Sequence, residues 1–301
     1  LTGDAITEGV QNTLLGALAG TALTHADFNV AVGMSSLEAD TLGSKSTALG
    51  FQTLKNQNFT TATNSHNTAV GDAAGLSVTT GIENTLVGAK AGDALTDADF
   101  NVALGYLSLS ADTLGSQSTA IGYATLASQN FTTATNAYNV AVGSQAGNDI
   151  TTGTFNTLVG GLAGDAITTG TRNIAVGYNA LGADTLGSKS VAVGLGALAD
   201  QNFTTATDAF NTAVGHGAGT AVTTGLQNTL IGALAGDAMT DSDANVAVGY
   251  SALGSETLGQ YNTALGYNSL ATQNSTTATN SYNTAVGFSS GFSVTTGVSN
   301  T

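Results

Sequence analysis

A five-residue phrase returns sixteen times along this chain at set intervals, and such repetition dictates a fold before any single residue does. The phrase runs Asn or Ser, a variable residue, Ala or Leu, then Val, Leu or Ile, then Gly; "NTAVG" at 67–71 and 211–215 is typical. Its closing glycines are Gly16, Gly33, Gly50, Gly71, Gly88, Gly105, Gly122, Gly143, Gly160, Gly177, Gly194, Gly215, Gly232, Gly249, Gly266 and Gly287. The intervals are 17, 17, 21 and 17 residues, repeated in that order. Four coils therefore make a 72-residue super-repeat, present at 12–83, 84–155, 156–227 and 228–299. The longer third coil carries an insertion each time, such as "QNFTTATN" at 57–64 and 129–136. Residues 1–301 thus read as one continuous repeat segment. Both ends cut through the repeat, which predicts a piece of a longer fibre.

Within the pentamer, Thr and Val favour a short pleated strand, and the glycine suits a turn with positive φ or a close approach to the next coil. Second turn signals follow in "TTG" and "TLG". Seventeen residues then fit two short strands joined by turns, one rung of a parallel β-solenoid. Sixteen rungs at about 4.8 Å would extend roughly 75–80 Å. Side-chain alternation sends the second and fourth pentamer residues one way and the third the other. Both sets are largely apolar here, whereas a strand facing water on one side should alternate apolar with polar. One set fills the coil; the other needs a cover from outside the chain. Identical chains around a rotation axis are the simplest cover. The leading Asn (Asn12, Asn29, Asn67 and Asn84 among others) is expected to form a ladder from rung to rung or to cap the adjacent turn. The structural positions are thus these asparagines together with the glycine column from Gly16, Gly33, Gly50, Gly71, Gly88 and Gly105 onward.

These features together resemble the head repeats of trimeric autotransporter adhesins, the YadA-like β-roll, matched here by "NVAVG" at 29–33 and 245–249, "NIAVG" at 173–177 and "STAIG" at 118–122. The continuation "GDAAG" or "GSQAG" is similar to repeats of bacterial and phage tail fibres. The resemblance implies a left-handed roll in a parallel homotrimer, each chain partnered by two identical copies. It also implies an extracellular place, on a bacterial surface or in a virion fibre, and a structural or adhesive role. The family's usual coil is shorter, near 14 residues, so the coils here imply longer loops.

Composition narrows the alternatives. Forty glycines without proline or a Gly at every third position exclude collagen. Twenty acidic residues against five basic ones, a net charge of −15, argue against nucleic-acid binding, which rests on neutralising phosphates. No apolar run approaches the ~20 residues of a membrane helix. There is no cysteine, so disulfides and thiol chemistry are absent.

No catalytic constellation is expected. His25 falls in phase with Asp97, Thr169 and Asp241; His66 with Tyr138, Phe210 and Tyr282; His216 with Asp72, Ser144 and Phe288. None recurs, and "GHGAG" at 215–219 lacks the Lys and helix of a phosphate loop. No cofactor is expected. Asp40, Asp112, Asp184 and Glu256 share one position, and Asp97 with Asp99 and Asp241 with Asp243 form D-x-D pairs. Calcium is the one ion considered, with solvated loop carboxylates as the plain expectation. The inserted loops contain formal glycosylation sequons at Asn58, Asn130, Asn202 and Asn274, with a polar turn over a buried Phe as the plain expectation. Candidate surface contacts, for a cell-surface glycan or receptor, are Phe59, Phe131 and Phe203 in the insertions and Tyr106, Tyr178 and Tyr250 after the pentamer glycine. The alternative function is an ice-binding or glycan-binding solenoid, suggested by the abundant Thr.

Overall fold

In a computed structural model describing all of residues 1–301, the chain is an all-β parallel solenoid of about sixteen coils without a helix. It falls into two compact units, Leu1–Thr154 and Phe155–Thr301. Each contains eight three-residue strands, one per pentamer, such as Thr13–Leu15, Val30–Val32 and Thr47–Leu49 in the first unit and Thr157–Val159, Ile174–Val176 and Val191–Val193 in the second. Within the first unit each strand pairs in parallel with its successor and without slip: Thr13 opposite Val30, Leu14 opposite Ala31, Leu15 opposite Val32. The same holds in the second unit, where Ile174, Ala175 and Val176 lie opposite Val191, Ala192 and Val193. A one-residue slip would send the alanines outward, so burial locks the pairing.

The second strand expected in every coil is confined to one place per super-repeat. Gly43–Ser44 pairs with Thr63–Asn64 of the insertion, and the pairing recurs at Gly115–Ser116 with Thr135–Asn136. In the second unit, Gly187–Ser188 pairs with Thr207–Asp208, and Gly259–Gln260 with Thr279–Asn280. Elsewhere the rung turns through left-handed residues such as Leu18, Leu37 and Leu54 and still bonds coil to coil. Gly20 N donates to Ser36 O at 2.9 Å, and Thr24 N to Thr41 O at 3.0 Å. The ladder therefore continues around the rung where φ leaves the pleated range, which satisfies backbone groups without a regular strand.

The third pentamer residue is the core. Ala31, Ala48, Ala69 and Ala103 are fully buried, as are Leu86, Leu158 and Leu230. The position four beyond the pentamer glycine shows why the period is four coils. Where the pentamer holds Leu86, that position is Gly92; where it holds Ala31 or Ala48, it is the fully buried Leu37 or Leu54. The preceding coil's Gly75 sits between the two types. A Cβ there would stand 2.8 Å from both Leu54 Cδ2 and Leu86 Cδ1, closer than any real contact. Leucine is thus placed where its neighbours are glycine, keeping the interior filled; each such side chain contributes about 1.5–3 kcal/mol by leaving water.

The closing glycine meets a different demand. Gly16, at φ 132°, packs backbone on backbone: a Cβ would lie 2.7 Å from the carbonyl oxygen of Gly33. Only glycine meets both the positive φ and the close approach.

Candidate functional site

Three groups of side chains stand out from the core: the asparagine ladder, a buried carboxylate in the coil before each insertion, and one outward face in each unit. Asn29 is fully buried and makes both of the bonds that a ladder or a cap would make. Its Nδ2 donates to Gly43 O of its own coil at 2.8 Å, while its Oδ1 accepts from Ser46 N of the next coil at 2.8 Å. Asn12 accepts from Asn29 N at 2.9 Å and donates to Ala26 O at 2.7 Å. Asn67 and Asn84 continue the pattern, with Asn84 N donating to Asn67 Oδ1 at 2.9 Å.

The acidic position of the coil before each insertion differs from the expected solvated carboxylate. Asp40, Asp112, Asp184 and Glu256 are all fully buried. Asp40 accepts from Gly43 N at 3.0 Å, Phe59 N at 3.3 Å and Gln57 Nε2 at 2.6 Å. Gln129 and Gln201 do the same for Asp112 and Asp184, at 2.5 and 2.6 Å. Burial pushes these three aspartates above the ordinary carboxylate range, while the Gln and backbone N–H bonds pull the other way. Their oxygens already face N–H donors, an arrangement suited to holding the insertion against the preceding coil. No group of three or more His, Cys, Asp or Glu is placed to hold a metal ion. The D-x-D pairs also serve neighbouring coils: Thr80 Oγ1 donates to Asp97 at 2.7 Å, and Ile82 N to Asp99 at 2.8 Å.

The glutamines went unnoticed in the sequence. Their signal was present: each stands 17 residues after the acidic residue and opens the inserted loop. The fourth copy changes in concert, with Glu256 for Asp and Ser275 where the others have Phe. Ser275 N donates to Glu256 Oε1 at 2.9 Å.

Phe59, Phe131 and Phe203 are only 5% exposed, which removes them from the surface contacts. Each ring turns inward at the corner beside its carboxylate; a Cβ on Gly43 would stand 2.7 Å from Phe59 Cδ2. An insertion only four residues longer than its neighbours gains more by burying its aromatic than by presenting it. The adjacent sequon residue Asn58 is exposed, and its Oδ1 accepts from Thr41 Oγ1 at 3.0 Å.

Tyr106, Tyr178 and Tyr250 do lie outside, about half exposed. They belong to a broad face. Along the second coil, Phe28 is exposed, Asn29 buried, Val30 half-buried, Ala31 buried, Val32 half-buried and Met34 exposed. Every second residue from 28 to 34 therefore points outward. The two outward strand columns hold Thr, Val, Leu and Ile, and taller side chains rise on either side. One flank precedes the pentamer and carries Phe28, Phe100, Tyr138, Phe155, Phe210, Tyr261 and Tyr282. The other follows the glycine and carries Met34, Phe51, Tyr106, Tyr123, Tyr178, Tyr250, Tyr267 and Phe288. Rings stack from coil to coil along the flanks, Tyr106 on Tyr123 at 6.0 Å and Tyr250 on Tyr267 at 5.3 Å. In the first unit, 11 of 14 exposed large hydrophobic side chains lie on this face; in the second, 15 of 17. So strong a concentration calls for an explanation, which scattered apolar residues would not.

His25 Nε2 lies 3.6 Å from Glu8, while His66 and His216 stand exposed on opposite flanks. No helix is long and apolar enough to cross a membrane. The fold defines the class: a parallel β-solenoid with one apolar face in each unit. No family model matches the chain, and comparison with curated proteins finds no match.

Proposed function

We propose that this chain is a segment of an extracellular structural or adhesive fibre, in which parallel copies bury their apolar faces against one another in a homotrimer. The single observation that carries this reading is the concentration of exposed apolar side chains on one face in each unit. Leu49, Leu104, Ile174, Val214 and Ile231 all stand at least 36% exposed on it. Three faces turned to one axis would remove them from water, at about 25 cal/mol per Å² of apolar surface. Repeated coils suit a spacer, since stacking adds length without a unique site. The resemblance to adhesin head repeats supports the trimer and the left-handed roll, and the bacterial-surface or virion location follows from the same likeness.

Equilibrium sedimentation tests the proposal. The expected mass is three times the chain's 29.5 kDa, unchanged on dilution; a well-folded monomer at all concentrations would refute it.

Ice binding draws less support. The hydroxyls of Thr24 and Thr41 donate to carbonyls of the next coil, and no pentamer has Thr at its fourth position. Glycan contact is favoured by one observation, the exposed stack of Tyr250, Tyr267 and Phe288. Titration with oligosaccharides while following tyrosine fluorescence would test it.

A further inference from the structure

The two flanks of the apolar face are chemically unlike. The flank preceding the pentamer carries Lys45, Arg172 and Lys189, three of the chain's five basic residues, together with His66. The flank following the glycine carries no Lys or Arg; it holds rings and, in the same coil as His66, Asp72. Three coils set unlike groups across the face, Lys45 with Phe51, Arg172 with Tyr178 and His66 with Asp72, all six of them exposed; Lys189 instead shares its coil with Leu195, and Glu83 with Ala89. Within one chain they stand on opposite sides of the strand, roughly 15–20 Å apart at about 3.3 Å per residue, and cannot meet.

We propose that neighbouring copies join flank to flank, the column before the pentamer on one chain packing against the column after the glycine on the next, coil for coil. This rests on the self-association proposed above and adds which surfaces touch. Three of the contacts then set a cation on a ring, Lys45 on Phe51 and Arg172 on Tyr178, or an imidazole beside a carboxylate, His66 with Asp72. The leading flank already takes such pairs within the chain. Arg172 lies 5.5 Å from the centre of the Phe155 ring, and Lys189 lies 5.1 Å from that of Phe210. Arg172 would then lie between two rings, Phe155 of its own chain and Tyr178 of the next, a favourable place for a guanidinium. Unlike patches meeting head to tail close into a ring by rotation, and parallel copies bring equivalent coils to one height. Copies packed in opposite directions would instead set leading flank on leading flank, bringing Lys and Arg columns together in mismatched coils.

The natural chain has no cysteine, so paired substitutions report the contact cleanly. Lys45→Cys with Phe51→Cys, and separately Arg172→Cys with Tyr178→Cys, are treated with a short bifunctional thiol reagent, and each is sedimented before treatment. The expected result is an oligomer whose chains become covalently joined in both double variants. Lys45→Cys alone, Phe51→Cys alone and Lys45→Cys with Tyr123→Cys should give no joined chains. An oligomer joined through Lys45→Cys alone, or through neither double variant, overturns the flank pairing and leaves self-association standing. A folded monomer overturns both. The two double variants lie in different units, so a folding defect in one leaves the other to decide.

Discussion

Gln57 bridges three successive coils: its Nε2 donates to Asp40 Oδ2 at 2.6 Å and to Ser46 Oγ at 2.8 Å, while its Oε1 accepts from Asn67 Nδ2 at 2.9 Å. One amide thereby ties the coil before the insertion, the inserted coil itself and the coil after it. The same bridge recurs at Gln129 and Gln201.

Replacing Gln57 with Leu keeps the volume but strips Asp40 of its side-chain donor and Asn67 of an acceptor. Leaving a buried polar group without its hydrogen-bond partner costs about 1–3 kcal/mol, and more where the group is charged. Urea unfolding should show a loss of that order. A change below about 1 kcal/mol would mean that the carboxylate finds other donors.

The raised pKa values of Asp40, Asp112 and Asp184 set the direction of a pH effect. Between the ordinary value of 3.8 and the raised one, the folded chain holds protons that the unfolded chain has released. The stabilising contribution of these groups is therefore complete below 3.8 and lost as pH rises through the folded value. Relative to the Asp40→Asn, Asp112→Asn, Asp184→Asn triple variant, the natural chain should gain stability as pH falls from neutral into this window. Thermal melts of both across that range provide the check; parallel profiles would contradict the shift.

Gly75→Ala should destabilise by about 2–4 kcal/mol, combining left-handed strain at φ 59° with overpacking against Leu54 and Leu86. Shortening the obstacle should recover part of this loss: Gly75→Ala with Leu86→Val is expected to be more stable than the two single effects added together. A double-mutant cycle measures the coupling, and strict additivity would show that the interior relaxes instead.

Charges on the outer face should separate the copies and leave the coil intact. Ile174→Asp with Val191→Asp places two carboxylates where neighbouring faces are proposed to meet. Association should weaken by at least a hundredfold, about 3 kcal/mol, with unchanged circular dichroism. Sedimentation of an undiminished oligomer would exclude this face as the interface.

The pentamer and its spacing were enough to determine the coil count, the parallel stacking and the opposition of the third residue to the second and fourth, because a period of two leaves each strand residue only one side; that the Ala or Leu set is the inward one was decided by the tertiary structure. The asparagine ladder was legible for a similar reason: an amide repeated at every rung has an identical neighbour one coil away. The burial of Asp40 was not legible, since it depends on Gln57 folding back across a corner that only the stacked coils create, whereas a buried Phe59 was the plain reading of the inserted loop. The restriction of the second strand to the insertion also came from tertiary structure, as left-handed residues such as Leu18 and Leu37 bend the rung elsewhere. Local periodicity decides which way a side chain points; what it meets there is decided by the coil above and the coil below.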